Sequence, residues 1–160
     1  MKEKFLILIM IFMSMSFLAC DPANNTHFPD DYPTNQDPEI YDELVTVDVY
    51  DFVQTHFPDF TILYAKKDYD DGKTSKEIYI RNENNKHFEI EFDMEDNWIK
   101  VEGDDDCKSV IPESIINILP SKISEYINTN YKNAKVYEVE KKHNSYKLDI
   151  EKNLRDFELY

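Results

Sequence analysis

The chain has 160 residues, so a leader and a linker leave room for one compact domain or two small repeats. Its formal net charge is -15. Its composition, 41% hydrophobic and 14% aromatic, is too apolar for a wholly disordered chain. A surface this negative repels phosphate backbones and anionic lipid headgroups, which argues against nucleic acid as a partner and against electrostatic adhesion to a membrane.

The first predicted element is an export signal over residues 1–20. Lys2 and Lys4 precede an apolar run that is too short for a spanning helix and ends at Cys20. The segment Phe17-Leu18-Ala19-Cys20 resembles the lipobox of bacterial lipoproteins, in which the cysteine is acylated and becomes the new N-terminus. We therefore expect a lipid on Cys20 that holds the protein in the bacterial cell envelope, periplasmic or surface-exposed. An ordinary signal peptide and an uncleaved anchor are the alternatives.

Residues 21–37 are predicted to form a flexible tether. They carry three prolines among Asp, Asn and Thr, and they show no apolar periodicity. Cys20 and Cys107 are the only cysteines, so acylation of the first leaves the second without a disulfide partner in the chain. The acidic neighbourhood of Cys107 indicates an inert thiol, because negative charges raise the pKa of a thiol.

Residues 38–160 contain an internal repeat, which appears when Val49 is aligned with Ile123. Apolar positions then coincide without a gap along one predicted helix, and further matches follow after shorter loops in the second copy. The repeat predicts two tandem units, 38–108 and 109–160.

Each copy begins with an amphipathic helix. Its apolar residues recur at i, i+3, i+4 and i+8, which places them on one stripe that faces a core. The stripe consists of Val49, Phe52, Val53 and Phe57 in the first copy and of Ile123, Tyr126, Ile127 and Tyr131 in the second. Pro58 ends the first helix and Pro120 begins the second, which leaves Glu113–Leu119 as a separate short helix.

Short β-rich runs bounded by polar turns follow each helix. They are Thr61–Lys67, Lys76–Arg81, His87–Asp93 and Trp98–Glu102 in the first copy, and Lys135–Glu140, Tyr146–Glu151 and Phe157–Tyr160 in the second. The pattern predicts an α+β fold in which each repeat packs one or two short helices on an antiparallel meander, with four strands and then three. The sequence leaves open whether the second sheet is smaller or whether the fourth strand serves both sheets.

These residues resemble the PepSY-like family of periplasmic proteins, which is often grouped with the beta-lactamase-inhibitory-protein-like fold. The resemblance covers most of 38–160 and rests on a proline before each helix and on helices that end in Phe57-Pro58 and Asn130-Tyr131. The family's Phe-Asp, turn, Trp element appears as Phe92-Asp93 followed by Asn97-Trp98. The family's turn usually carries glycine, so we expect Asn97 to adopt the left-handed conformation here. The resemblance implies the fold and assigns no activity.

A search for catalytic signatures favours a protein that is not an enzyme. Two glycines are too few for a phosphate-binding loop or a glycine-flanked nucleophile. The four histidines are dispersed over unrelated elements, with no HExxH or CxxC pattern for zinc.

Acidic turns give one candidate site. Two turns of the predicted meander lie at the same end of the sheet, about 10 Å apart. Their carboxylates are Asp68, Asp70 and Asp71 in the first turn and Asp93, Glu95 and Asp96 in the second. Together they could supply the oxygen ligands of a calcium ion, Ca2+ being the only cofactor that the sequence suggests, although solvated turn residues are the simpler interpretation.

Two aromatic residues give the other candidate site. Strand alternation places Tyr79 and Trp98 on the solvent face of the sheet, with Ile99 and Val101 pointing inward. Tyrosine and tryptophan dominate protein interfaces, although the second repeat could instead cover them. The sequence therefore predicts a lipid-anchored, non-catalytic module that binds or inhibits an unknown envelope protein, with a calcium-binding periplasmic protein as the alternative.

Overall fold

The computed structural model describes residues 38–70, 72–103, 109–153 and 155–160. The predictions for the signal, Cys20, the tether, Asp71 and Cys107 concern positions outside the described residues.

Four short helices form two pairs, one before the first four strands of the chain and one before the last three strands. They are α1 (Pro38–Leu44), α2 (Val47–His56), α3 (Glu113–Asn117) and α4 (Ser121–Asn130). The sequence pattern located α2, α3 and α4 and did not resolve α1 as a helix of its own. No helix in the described ranges is long and apolar enough to cross a membrane.

Helix α2 shows why these segments are helical. Thr46 is its N-cap, since the Thr46 hydroxyl accepts a hydrogen bond from the Val49 amide at 3.3 Å, and Asp48 places negative charge in the first turn. Val49 and Val53 are fully buried, one helical turn apart. Pro58 has no amide hydrogen to continue the helix.

Seven strands form one antiparallel sheet in chain order. They are β1 (Phe60–Asp70), β2 (Lys73–Asn82), β3 (His87–Asp93), β4 (Trp98–Gly103), β5 (Lys135–Lys141), β6 (Tyr146–Lys152) and β7 (Arg155–Leu159). The α+β class and the antiparallel sheet are confirmed. Strand β4 pairs with β5, so the question that the sequence left open is answered: the strands form one continuous sheet.

The inner face of the sheet is apolar. One row of directly opposed residues crosses all seven strands: Ala65, Ile78, Ile90, Val101, Val139, Leu148 and Leu159. All of them belong to the hydrophobic core or pack against it. Burial of this row against the helices is the main favourable term in folding.

The helices cover the inner face. The Phe52 ring of α2 lies 5.3 Å from the Phe92 ring of β3, and the Phe57 ring lies 5.0 Å from the Phe88 ring. Ile127 of α4 belongs to the same core cluster. The opposite, outer face is formed by the alternate residues of each strand.

The prediction that Trp98 faces solvent is wrong. Glu91 is opposite Lys100, but Phe92 is opposite Trp98, so Ile99 is an extra residue in β4. This bulge reverses the alternation beyond it. Trp98 therefore lies on the inner face, 6.2 Å from the Phe52 ring.

The neighbouring turn differs from its prediction as well. The left-handed residue of the β3–β4 turn is Asp96, with φ 68°, and not Asn97. Aspartate is among the few residues that tolerate this conformation. The Asp93 carboxylate accepts hydrogen bonds from the amides of Glu95 and Asn97 at 2.8 and 2.9 Å and so closes the turn.

Candidate functional site

The outer face carries a row of carboxylates that crosses five adjacent strands. We call it the acidic row: Glu89, Glu102, Glu138, Asp149 and Glu158, each directly opposite the next. Two tyrosines extend the same row across β2 and β1, Tyr79 opposite Glu89 and Tyr64 opposite Tyr79. One line of acceptor groups therefore runs across the sheet beside an aromatic end.

Three bulges determine this alignment. One extra residue stands in each of β1, β4 and β5, at Leu63, Ile99 and Tyr137, where the registers shift. Each extra residue exchanges the faces of the positions that follow it. The bulge at Tyr137 places both Val136 and Val139 on the core side, and it leaves Glu138 on the outer face.

The aromatic end of the row is held by ring and ion contacts. The Tyr79 hydroxyl donates a hydrogen bond to Glu77 Oε2 at 2.9 Å, and its ring lies 5.6 Å from the Tyr64 ring. Lys66 Nζ is 2.6 Å from the same glutamate and 5.6 Å from the centre of the Tyr79 ring. These contacts orient the Tyr79 ring on the outer face, where it remains partly exposed.

Lysines lie beside the carboxylates, but they are fewer than the carboxylates and do not neutralise the whole row. Lys147 Nζ lies 3.2 Å from Glu138 Oε1, 3.1 Å from Glu158 Oε1 and 3.6 Å from Asp149 Oδ2, so one cation contacts three members of the acidic row. Lys100 forms an ion pair with Glu102. Hydrogen bonds to Glu158 and Glu138 raise the pKa of Lys147 against the opposing effect of burial, so it stays charged at neutral pH.

Burial, with like charge as a smaller cause, favours the protonated form of two carboxylates in the row. Burial raises the pKa of Glu89, and the like charges of Glu77 and Glu102 add to this effect. Burial also raises the pKa of Glu138, and nearby Asp149 and Glu102 contribute. The ionised forms of Glu89 and Glu138 are therefore disfavoured, and a cationic ligand close to them would stabilise these forms.

The structure places the residues of the predicted calcium site in different contacts. Asp68 and Asp93 each lie opposite Ser75, on either side of β2, which confirms that the two turns emerge at one end of the sheet. Asp70 ends β1 and Glu95 is exposed in the β3–β4 turn. Asp96 is instead ion-paired with the buried Lys76 and accepts a hydrogen bond from the Thr46 hydroxyl at 2.9 Å. Within the described ranges, no three His, Cys, Asp or Glu side chains are grouped so that they could hold a metal ion.

A cavity of about 650 Å³ lies at the opposite end of the sheet, away from the acidic turns. It is lined by the start of β1 and the end of β2, including Phe60, Arg81 and Asn82. Its walls are polar and mixed in charge, and it is separate from the acidic row.

Known proteins resemble the chain in sequence and in fold. The family described as "Putative beta-lactamase-inhibitor-like, PepSY-like" matches residues 74–160, more than half of the chain. The chain belongs to this PepSY-like family. No curated protein matches it.

Three solved structures share the fold of this PepSY-like protein. A putative periplasmic protein from the DUF2874 family of Bacteroides vulgatus is 28% identical with a TM-score of 0.51, and the match covers 65% of this chain and 74% of that one. A putative calcium-regulated periplasmic protein from Bacteroides thetaiotaomicron is 28% identical with a TM-score of 0.53, covering 69% and 79%. A second Bacteroides vulgatus protein, of unknown function, is 22% identical with a TM-score of 0.53, covering 65% and 75%, and shows the fold alone.

The acidic row of this PepSY-like chain was not predicted from the sequence. The signal was present, since acidic residues stand at alternate positions of β3, β5 and β6. The bulge at Ile99 shifts the β3–β4 pairing by one residue, so strand periodicity alone could not align Glu89 with Glu102.

The crowded carboxylates make the stability of the PepSY-like fold depend on pH. A carboxyl whose pKa is raised by folding binds its proton more tightly in the folded chain, so the free energy of unfolding falls as the pH rises above the unfolded value of about 4.3. Between about pH 7.5 and about pH 5.5, Glu89 should therefore raise Tm as the pH falls toward its unfolded pKa, against the opposite contribution of His56, whose pKa is lowered by burial. Glu89→Gln should raise Tm at about pH 7.5 by roughly 2 °C and flatten the profile.

Differential scanning calorimetry across this pH range measures the effect, with Glu83→Gln in an exposed turn as the matched control. Asp93 does not mask it, because hydrogen bonds from Asn97 and Glu95, acting against burial, lower the pKa of Asp93 and move its contribution to lower pH. Equal slopes for the Glu89→Gln and Glu83→Gln proteins would contradict the interpretation.

Proposed function

We propose that this protein is a lipid-anchored, non-catalytic module of the bacterial cell envelope that binds a protein partner through the outer face of its sheet. The acidic row and the adjacent Tyr79 are the observation that carries the proposal. The family description includes inhibitor-like proteins, and the similar structures are described as periplasmic.

The chemistry of the face defines the partner. A line of carboxylates attracts a cationic surface, and a cation close to Glu89 and Glu138 would offset the burial and the like charges that raise their pKa values. Tyr79 supplies an oriented aromatic ring of the kind that dominates binding energy at interfaces. The partner is therefore a protein with a basic patch next to an apolar one.

A charge-reversal experiment tests the proposal. The full chain, carrying an affinity tag, captures envelope proteins from the cells in which it is native, alongside the Tyr79→Ala and Glu102→Lys variants. We expect the specific partner to be lost with both variants and to be retained by Glu125→Lys, which makes the same charge change on exposed α4. Equal recovery by the Glu102→Lys and Glu125→Lys proteins would reject the outer face as the interface.

The membrane attachment in this proposal is a lipid on Cys20. The lipobox-like sequence before this residue supports it, and two or more acyl chains suffice for stable anchoring. We expect Cys20→Ser to abolish acyl labelling and to move the protein from the membrane fraction to the soluble fraction. Cys107→Ser is the matched control and should leave both unchanged. A Cys20→Ser protein that still fractionates with membranes would refute lipid anchoring.

We also propose that residues 38–108 and 109–160 are tandem copies of one unit. Each half has two short helices followed by an antiparallel meander. A ring contact supports the alignment, since Phe57 lies 5.0 Å from Phe88 and the aligned pair Tyr131 and Phe157 lies 5.7 Å apart.

Calcium binding at the acidic turns is a second candidate function. It is favoured by the shared position of Asp68 and Asp93 at one end of the sheet and by the similar structure described as calcium-regulated. Because Asp96 is already paired with Lys76, the ligands would be Asp68, Asp70, Asp71, Asp93 and Glu95. Millimolar calcium should then raise Tm in the parent protein and not in Asp68→Asn. An unchanged melting curve, with magnesium as the comparison, would eliminate this function.

A further inference from the structure

The open edge of β7 differs from its counterpart in the first half. There, β3 is covered by β4, and Trp98 of β4 packs 6.2 Å from Phe52 of α2. In the second half, Tyr126, which aligns with Phe52, is 52% exposed, and Phe157 of β7 is 38% exposed. No strand pairs with the outer edge of β7 in the described part of the chain.

Aromatic rings line this edge. The Tyr126 ring lies 6.0 Å from the Tyr131 ring, which lies 5.7 Å from the Phe157 ring. The three rings connect α4 to the last strand and form an exposed apolar ledge on the inner side of the edge.

The backbone of β7 adds hydrogen-bonding capacity. Lys152 pairs directly with Arg155 across the hairpin, with two residues between them in the sequence, and Asn153 has φ 54°. In such a hairpin the residues that flank the turn exchange hydrogen bonds, and every second residue after them does the same. The amide and carbonyl of Glu158 therefore point away from β6, toward the open edge.

Charge determines what can dock there. On the outer side, the edge presents Glu158 beside Asp149, the last two members of the acidic row. A second copy of this chain, with its net charge of -15, would bring like charges together. The segment 21–37 is also a poor occupant, because it is acidic and rich in proline, which lacks the amide hydrogen that strand pairing needs.

We propose that the β7 edge binds an extended segment of a protein partner by strand addition, with aromatic residues against the ledge and basic residues against Glu158. The segment completes the second half as β4 completes the first. This inference rests on the tandem arrangement and the protein-binding role proposed above, and it names a second surface for that role, which meets the acidic row at Glu158.

The chain itself supplies the probe. Strand β4 and the residue before it have the sequence Asn97-Trp98-Ile99-Lys100-Val101-Glu102-Gly103. Superposing the two halves would place Glu102 opposite Glu158, a like-charge pair. A fluorescent synthetic peptide of these seven residues with lysine in place of Glu102 is therefore compared with the unaltered peptide. Binding to the full chain in mild detergent is followed by fluorescence anisotropy.

We expect the lysine peptide to bind about tenfold more tightly than the unaltered one. Glu158→Pro removes the outward amide and should weaken binding by about tenfold or more, whereas Glu158→Gln keeps the amide and should lose only the preference for lysine. Tyr126→Glu, an exposed change that does not disturb the sheet, provides a second test if Glu158→Pro unfolds.

Other occupants of the β7 edge would give different experimental results. Equal affinity for the two peptides, or full binding by both Glu158→Pro and Tyr126→Glu, overturns the proposal. A dimer in sedimentation that Glu158→Pro converts to a monomer identifies a second copy at the edge and also overturns it. Peptide binding that appears only after removal of residues 1–37 also overturns the proposal, because a segment of the same chain would then be the occupant of the edge in the full-length protein. None of these results affects the outer-face interface, which Tyr79→Ala and Glu102→Lys test.

Discussion

Asp96→Asn is expected to lower the free energy of unfolding by about 3 kcal/mol, because it removes the counter-ion of a buried lysine. Lys76 is 3% exposed and Asp96 belongs to the β3–β4 turn. Asparagine tolerates the left-handed conformation of this position, so the backbone cost is small and the loss reports the charge pair. Urea denaturation gives the value directly.

A double-mutant cycle separates the ion pair from the turn. Lys76→Met removes the buried ammonium and should cost no more than about 1 kcal/mol, and Lys76→Met combined with Asp96→Asn should recover most of the loss of the single Asp96 variant. Glu95→Gln, an exposed change in the same turn, should stay within about 0.5 kcal/mol. A double variant as unstable as Asp96→Asn alone would show that the turn, and not the charge pair, requires the aspartate.

Phe92→Ala is expected to lower the free energy of unfolding by about 3–5 kcal/mol. The Phe92 side chain is completely buried, and its ring lies edge-on to the Phe52 ring at 5.3 Å. Alanine leaves a cavity between α2 and the sheet that the surrounding side chains cannot fill. Because a small domain is stable by only about 5–15 kcal/mol, the variant should be marginal at room temperature.

The matched control is Phe157→Ala at the open edge, where the ring is 38% exposed. It should cost roughly 1–2 kcal/mol, because less apolar area is lost to water. Trp98 fluorescence follows urea unfolding in both proteins, and its position near Phe52 makes it sensitive to the packing of the α2 interface. A loss at Phe92 no larger than that at Phe157 would contradict the assignment of the core to the inner face.

The fold could be predicted from local patterns to a large extent. The β-rich run between polar turns gave the bounds of β3, His87–Asp93, and the i, i+3, i+4 stripes located α2 and α4. These elements are set by burial of one face, which the sequence shows directly. Helix α1 was missed although Tyr41, Leu44 and Val45 stand at i, i+3 and i+4, because a helix of seven residues is too short for this periodicity to separate it from α2.

The site could be predicted only in part. Trp98 was expected on the outer face and lies on the inner one, because a single bulge residue, Ile99, reverses the alternation. The acidic row depends on the same kind of detail, since pairing between Glu102 and Glu138 across β4 and β5 involves residues far apart in sequence. Register between distant strands is set by tertiary packing and not by local propensity.

Site-specific photo-crosslinking in living cells tests the outer-face interface most directly. A photoreactive phenylalanine analogue replaces Tyr79 in one protein and exposed Lys122 of α4 in another. We predict one major covalent adduct to a basic envelope protein from position 79, which is lost when Glu102→Lys is introduced and is absent from position 122. Adducts that are the same from both positions, or that persist with Glu102→Lys, would contradict the proposal that the acidic row binds a protein partner.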